Sequence, residues 1–124
     1  MTVGKVAELQ RLLGESQVEG TLGIAHTRWA THGMPAERNA HPHMSGEQVA
    51  IVHNGIIENH AALREELVAD GYQFASVTDT EVIVHLLARS REASFEERLI
   101  DALSRVKGGF AVVMLSHDSL VAAR

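Results

Sequence analysis

The stretch QVAIVHNGIIENHAALREEL, residues 48–67, decides the fold. Its first part, QVAIVH (48–53), is rich in β-branched residues and reads as a buried strand. Asn54-Gly55 follows, a pair that favours tight turns. The residues after it do not return as a second strand. Asn59 is placed to cap a helix, and Leu63, Leu67 and Val68 recur at helical spacing until Gly71 stops them. A strand that breaks into a helix at an asparagine-glycine turn calls for layers, with helices laid on a sheet.

The pattern extends in both directions. Upstream, TLGIAHTRWA (21–30) reads as a buried strand. It has Leu22, Ile24, His26 and Arg28 on one face and Gly23, Ala25, Thr27 and Trp29 on the other. Residues 31–46 hold Gly33, Pro35, Asn39, Pro42 and Gly46 and read as loop. Before the strand, Val6, Leu9, Leu12 and Leu13 give a helix within 2–13 that Gly14 can end. Downstream, a short strand is expected near Tyr72–Ala75. Thr78-Asp79-Thr80-Glu81 and Ser94-Phe95-Glu96-Glu97 both have the form of a capping box opening a helix. Gly108-Gly109 closes the second of these helices. FAVVML (110–115) and SLVAA (119–123) are strands joined by a turn at His117-Asp118. The expected class is α+β in one domain.

Composition excludes several functions. The chain has 124 residues and a net charge of −5. With no lysine or arginine cluster, it lacks the basic face that a phosphate backbone requires. No apolar run approaches the length of a membrane span, and no leader is visible at the amino end. Cysteine is absent, which removes disulfides, thiolate metal sites and any thiol nucleophile. There is no GxSxG elbow and no phosphate-cradling glycine loop.

Four residues in three places can carry chemistry. Arg28 stands in an apolar strand beside Trp29, where its planar fork can grip a carboxylate through two parallel hydrogen bonds. An internal ion pair is the commoner reason for such an arginine. Asn54 and Gly55 can present a side-chain amide and a backbone N–H to one point as an oxyanion hole, or simply make a turn. Asp79 can hold an ammonium group, or complement the dipole of the helix it precedes. Eight histidines are present, six of them between 26 and 60. Their spacing matches no closed four-ligand set, so they read as hydrogen-bonding groups around a polar cleft, with a histidine metal site as the rarer alternative.

Taken together and in order, GIAHTRWATHG (23–33), NAHPH (39–43), VHNGIIENH (52–60), LREEL (63–67) and TDTEVI (78–83) resemble the class II glutamine amidotransferases of the N-terminal-nucleophile type. Within them the resemblance is to the amidotransferase half of the glucosamine-6-phosphate synthases. Amidophosphoribosyltransferases are similar in outline. The resemblance implies an incomplete αββα sandwich. It implies that Arg28 holds the α-carboxylate of glutamine and Asp79 its α-ammonium. Asn54 and Gly55 would form the oxyanion hole, and Trp29, Thr31 and His32 would line the pocket. It further implies a cytoplasmic, homo-oligomeric parent that needs no cofactor and binds no nucleic acid or membrane. That parent would pass ammonia to fructose 6-phosphate in a domain outside residues 1–124. The family's nucleophile is an amino-terminal cysteine. Its absence leads us to expect a single partial domain, lacking the nucleophile segment and the isomerase domains and inactive by itself. A cysteine-free module that binds glutamine or serves as a scaffold is the alternative.

Overall fold

The computed structural model describes residues 4–16, 19–28, 34–45, 49–117 and 119–124. Its centre is a four-stranded antiparallel sheet in the order β1-β2-β3-β4. The strands are β1 (His43–Ser45), β2 (Val49–Gly55), β3 (Phe110–Leu115) and β4 (Leu120–Ala123). Ile51 faces His43 on one side and Met114 on the other, and His53 faces Val112. β3 turns into β4 through a tight connection in which Ser116 N–H donates to Ser119 O at 2.9 Å.

Because side chains alternate along a strand, this register sorts the residues by face. His43, Ile51, His53, Val112 and Met114 point one way and are buried. The helices α2 (His60–Ala69), α3 (Glu81–Arg89) and α4 (Phe95–Ser104) form the layer that includes this core. α3 packs on β1 and β2 and lies against both other helices. Seven consecutive residues, Glu81 to Leu87, are buried in it, as expected of a helix that is apolar nearly all round. Ile51, Ile57, Leu67, Ile83, Leu87 and Met114 are fully buried, each contributing about 1.5–3 kcal/mol by removal from water.

Several local expectations change. Residues 21–28 form no ladder strand, although part of the alternation survives: Ile24, His26 and Arg28 are half-buried and Gly23, Ala25 and Thr27 exposed, but Leu22, expected on the first face, is exposed too. They join none of the ladders of the described strands. The loop expected over 31–46 contains a 3-10 turn (Glu37–Asn39) and β1. Tyr72–Ala75 is not a strand, because the Ala75 and Ser76 N–H groups donate to the Glu81 carboxylate at 2.7 Å each. For the same reason Glu81 does not close a capping box, and Thr80 makes no side-chain cap. The Ser94–Glu97 capping box does form, with both reciprocal bonds present. Gly14 sits inside the first helix, α1 (Val6–Glu15), rather than ending it, and α1 buries no residue.

α2 ends as expected at Gly71, whose φ is +92°. Gly71 N–H donates to Val68 O and Tyr72 N–H to Leu67 O, both at 3.0 Å, which is the paired closure that left-handed glycine permits. Asn59 precedes α2 but does not cap it. Its amide donates to Arg105 O and its carbonyl accepts from Lys107 N–H, both at 2.9 Å. No described helix is long and apolar enough to cross a membrane.

Candidate functional site

At the carboxyl end of β2 the chain makes an unusually close approach. Gly55 has φ +124°, and a Cβ there would lie 2.2 Å from Gly109 O. Gly108 has φ +131°, and its Cβ would lie 2.2 Å from Ile56 O. Only glycine fits either conformation or either gap. Ile56 N–H donates to Gly109 O at 3.2 Å and Glu58 N–H to Lys107 O at 2.8 Å. Gly108-Gly109, expected only to close a helix, therefore clamps the turn that carries Asn54 and Gly55.

Between these two bonds, Ile57 N–H donates to Asp79 Oδ2 at 2.9 Å. Asp79 is buried at the start of α3, where the helix dipole favours an anion. A carboxylate can accept about four hydrogen bonds, so capacity for a ligand ammonium is left. The bond also links the aspartate to Ile57, 22 residues earlier and just past the asparagine-glycine turn.

A cavity of about 100 Å³ opens where these parts meet. His26, Arg28, His41, His53, Asn54, Gly55, Thr78, Asp79 and Thr80 line it. Arg28, Asn54, Gly55 and Asp79 thus converge on one space. Trp29, Thr31 and His32 lie outside the described residues. The space is small beside the roughly 300–1,000 Å³ of drug-sized ligand pockets, and suits a metabolite of amino-acid size.

The histidines are organised by threonine hydroxyls. Thr80 Oγ1 lies 3.1 Å from His41 Nε2 and 2.9 Å from His53 Nδ1. Thr78 Oγ1 lies 3.0 Å from His43 Nε2 and 2.9 Å from Ser76 Oγ. Burial, with the neighbouring histidines and Arg28, lowers the His41 pKa to about 3. Burial also lowers those of His43 and His53. These three rings are uncharged at neutral pH, so Arg28 and Asp79 supply the fixed charges of the cavity wall. Glu81 stands behind them. Burial raises its pKa, but the His85 ring, 3.6 Å away, and hydrogen bonds from the Ser76 hydroxyl and the Ala75 and Ser76 amides outweigh this and bring it to about 2. Among the described residues no group of three or more histidines or acids is placed to hold a metal ion.

The polar-cleft reading of the histidines thus has a structural basis in four of them, His26, His41, His43 and His53. Thr78 and Thr80 were missed as cavity residues. Two hydroxyls flanking an acid, Thr-Asp-Thr, were the available signal, and it reads equally well as a helix start.

A family model described as a glutamine amidotransferase domain matches residues 26–124. The chain is 53% identical over 127 aligned residues to a glutamine--fructose-6-phosphate aminotransferase (isomerizing) of Pseudomonas putida, covering 98% of this chain and 21% of that protein. A protein of the same name from Thermus thermophilus is 47% identical, with 98% of this chain and 20% of the relative covered. The chain therefore spans about one fifth of the length of these curated relatives. Among solved structures, the glutamine phosphoribosylpyrophosphate amidotransferase of B. subtilis superposes with a TM-score of 0.70 at 29% identity. That match covers 79% of this chain and 22% of the other.

Proposed function

This chain belongs to the glutamine amidotransferase domain family, and from that membership we propose that its cavity holds free L-glutamine by both ends of the zwitterion. The Arg28 guanidinium takes the α-carboxylate and the Asp79 carboxylate takes the α-ammonium. We assign Trp29, Thr31 and His32 to glutamine binding as well. The observation that carries this reading is the convergence of one cation, one anion and the Asn54-Gly55 turn on a single small cavity. A free amino acid needs that combination, because each of its charged ends requires its own partner once water is removed.

The side-chain carbonyl of glutamine then lies against the Asn54 amide and the Gly55 N–H. When a thiolate attacks that carbon, negative charge develops on the oxygen, and a preformed donor there is worth about 3–4 kcal/mol. The carbon–nitrogen bond breaks, ammonia leaves, and water releases glutamate from the thioester. The chain has no cysteine, so the thiol must come from residues outside these 124. In the whole protein the ammonia passes to fructose 6-phosphate in another domain, giving glucosamine 6-phosphate. The identities near 50% to the aminosugar enzymes favour this acceptor over phosphoribosylpyrophosphate. We place that parent in the cytoplasm as a homo-oligomer.

The absence of cysteine also favours a second reading, in which the domain binds glutamine and performs no chemistry. Calorimetry with L-glutamine and an assay for released glutamate test both. The expected result is single-site binding that Arg28→Ala abolishes, with no glutamate formed. No binding by the native chain would overturn the pocket assignment, and glutamate release by the purified chain would overturn its predicted inactivity.

A further inference from the structure

An asparagine serves an oxyanion only if its amide end faces the substrate, and something must decide which end does. His26 Nε2 lies 2.8 Å from Asn54 Oδ1. A carboxamide oxygen only accepts, so the imidazole donates, and His26 is held with its proton on Nε2. Oδ1 is thereby fixed on His26, and Nδ2–H₂ is the end that remains for a ligand. The opposite arrangement would aim the Asn54 carbonyl at the developing oxyanion and repel it.

The His26 ring is itself held. It packs against His41, the rings tilted by 42° with centroids 4.3 Å apart. His41 is bonded through Nε2 to Thr80, a buried hydroxyl next to Asp79 that also bonds His53. Asn54 is thus oriented through two rings and one hydroxyl from the start of α3, the same point that fixes Asp79.

We infer that His26 is a positioning residue that orients the Asn54 amide toward the γ-carbonyl of the substrate. This rests on the glutamine reading of the cavity. It assigns a role that neither the spacing nor the motif of residue 26 supplied.

The test uses two substitutions in the full chain. His26→Phe keeps a ring against His41 and removes the donor; His26→Gln removes the ring and keeps a donor. The first readout needs no ligand. The Asn54 Nδ2 proton resonances, assigned by their loss in Asn54→Asp, should shift and broaden in His26→Phe and return toward the native positions in His26→Gln. The second readout is the affinity ratio of L-glutamine to L-norvaline, which has the same zwitterion and no amide. That ratio should fall about three- to tenfold in His26→Phe, on the scale of one hydrogen bond, with norvaline affinity unchanged. Native Asn54 resonances together with a native ratio in His26→Phe would overturn the inference. Equal loss of both ligands would reduce His26 to a structural role and overturn it as well. A native chain that binds neither amino acid counts against the glutamine reading, and the Asn54 resonances then decide His26 alone. If His26→Phe fails to fold, native resonances or a native ratio in His26→Gln support the inference, and their loss overturns it.

Discussion

Asp79 holds two positions at once: it accepts from Ile57 N–H and lines the cavity. Substitution separates the two. Asp79→Asn keeps an oxygen for Ile57 and removes the charge. We expect unfolding free energy to change by no more than about 1–2 kcal/mol, while affinity for L-glutamine falls by about tenfold or more. Chemical denaturation and calorimetry on the same sample check this. Native affinity in the variant would remove Asp79 from the site. The demands of Arg28 and Asp79 were legible in the sequence, because an arginine within an apolar run and an acid at a helix start each ask for a partner. Which partner they ask for was not legible, since internal pairing and ligand binding place the same demand on sequence.

At the scale of elements, the turn after β2 depends on two glycines that meet backbone. Gly108→Ala would drive a Cβ to 2.2 Å from Ile56 O at a φ of +131°. Backbone cannot yield as a side-chain end can, so a loss of about 3 kcal/mol or more is expected. Gly71 provides the comparison. Its φ is +92° but no atom lies within 4 Å of the added Cβ, so Gly71→Ala should cost only about 1–2 kcal/mol, the cost of left-handed geometry. Urea midpoints of the two variants measure the difference, and equal losses would mean that the close approach carries no energy. Strand and helix periods gave β2, β3, β4, α2, α3 and α4 from sequence. Two details escaped for one reason: Asn59 and Glu81 have side chains suited to local capping, yet partners 46 and 6 residues away claim them.

For the whole molecule, buried neutral histidines and a buried ionised Glu81 make stability depend on pH. A histidine with a lowered folded pKa binds more protons when unfolded. His41 therefore contributes fully above its ordinary value of 6.5, and that stability is lost as pH falls toward about 3. Glu81 adds to the loss between its ordinary 4.5 and about 2, on the order of 3 kcal/mol. Denaturation midpoints should fall steadily from pH 7 to pH 3, and a flat profile would contradict neutral burial of the histidines. Glu81→Gln should flatten the lower part. The sheet has a second, apolar face formed by Met44, Ala50, Val52, Val113, Leu115, Leu120 and Ala122. Met44 is 54% and Leu120 51% exposed, and β1 and β4 are open edges among the described strands. Such surfaces favour association. Sedimentation should show larger species as concentration rises, and a strict monomer at high concentration would count against this.

The sequence by itself determined the α+β class, the strand-turn-helix at 48–67 and the family. These follow from periodicity, turn chemistry and ordered motifs, all of which are local in the chain. Only the tertiary structure decided that Gly108-Gly109 clamps Asn54-Gly55, that Ile57 ties that turn to Asp79, and that His26 sets the direction of the Asn54 amide. Those contacts join residues from 22 to more than 50 positions apart. A hydrogen bond across that distance leaves no period in the sequence, because either partner would look the same in a cap, a turn or a loop.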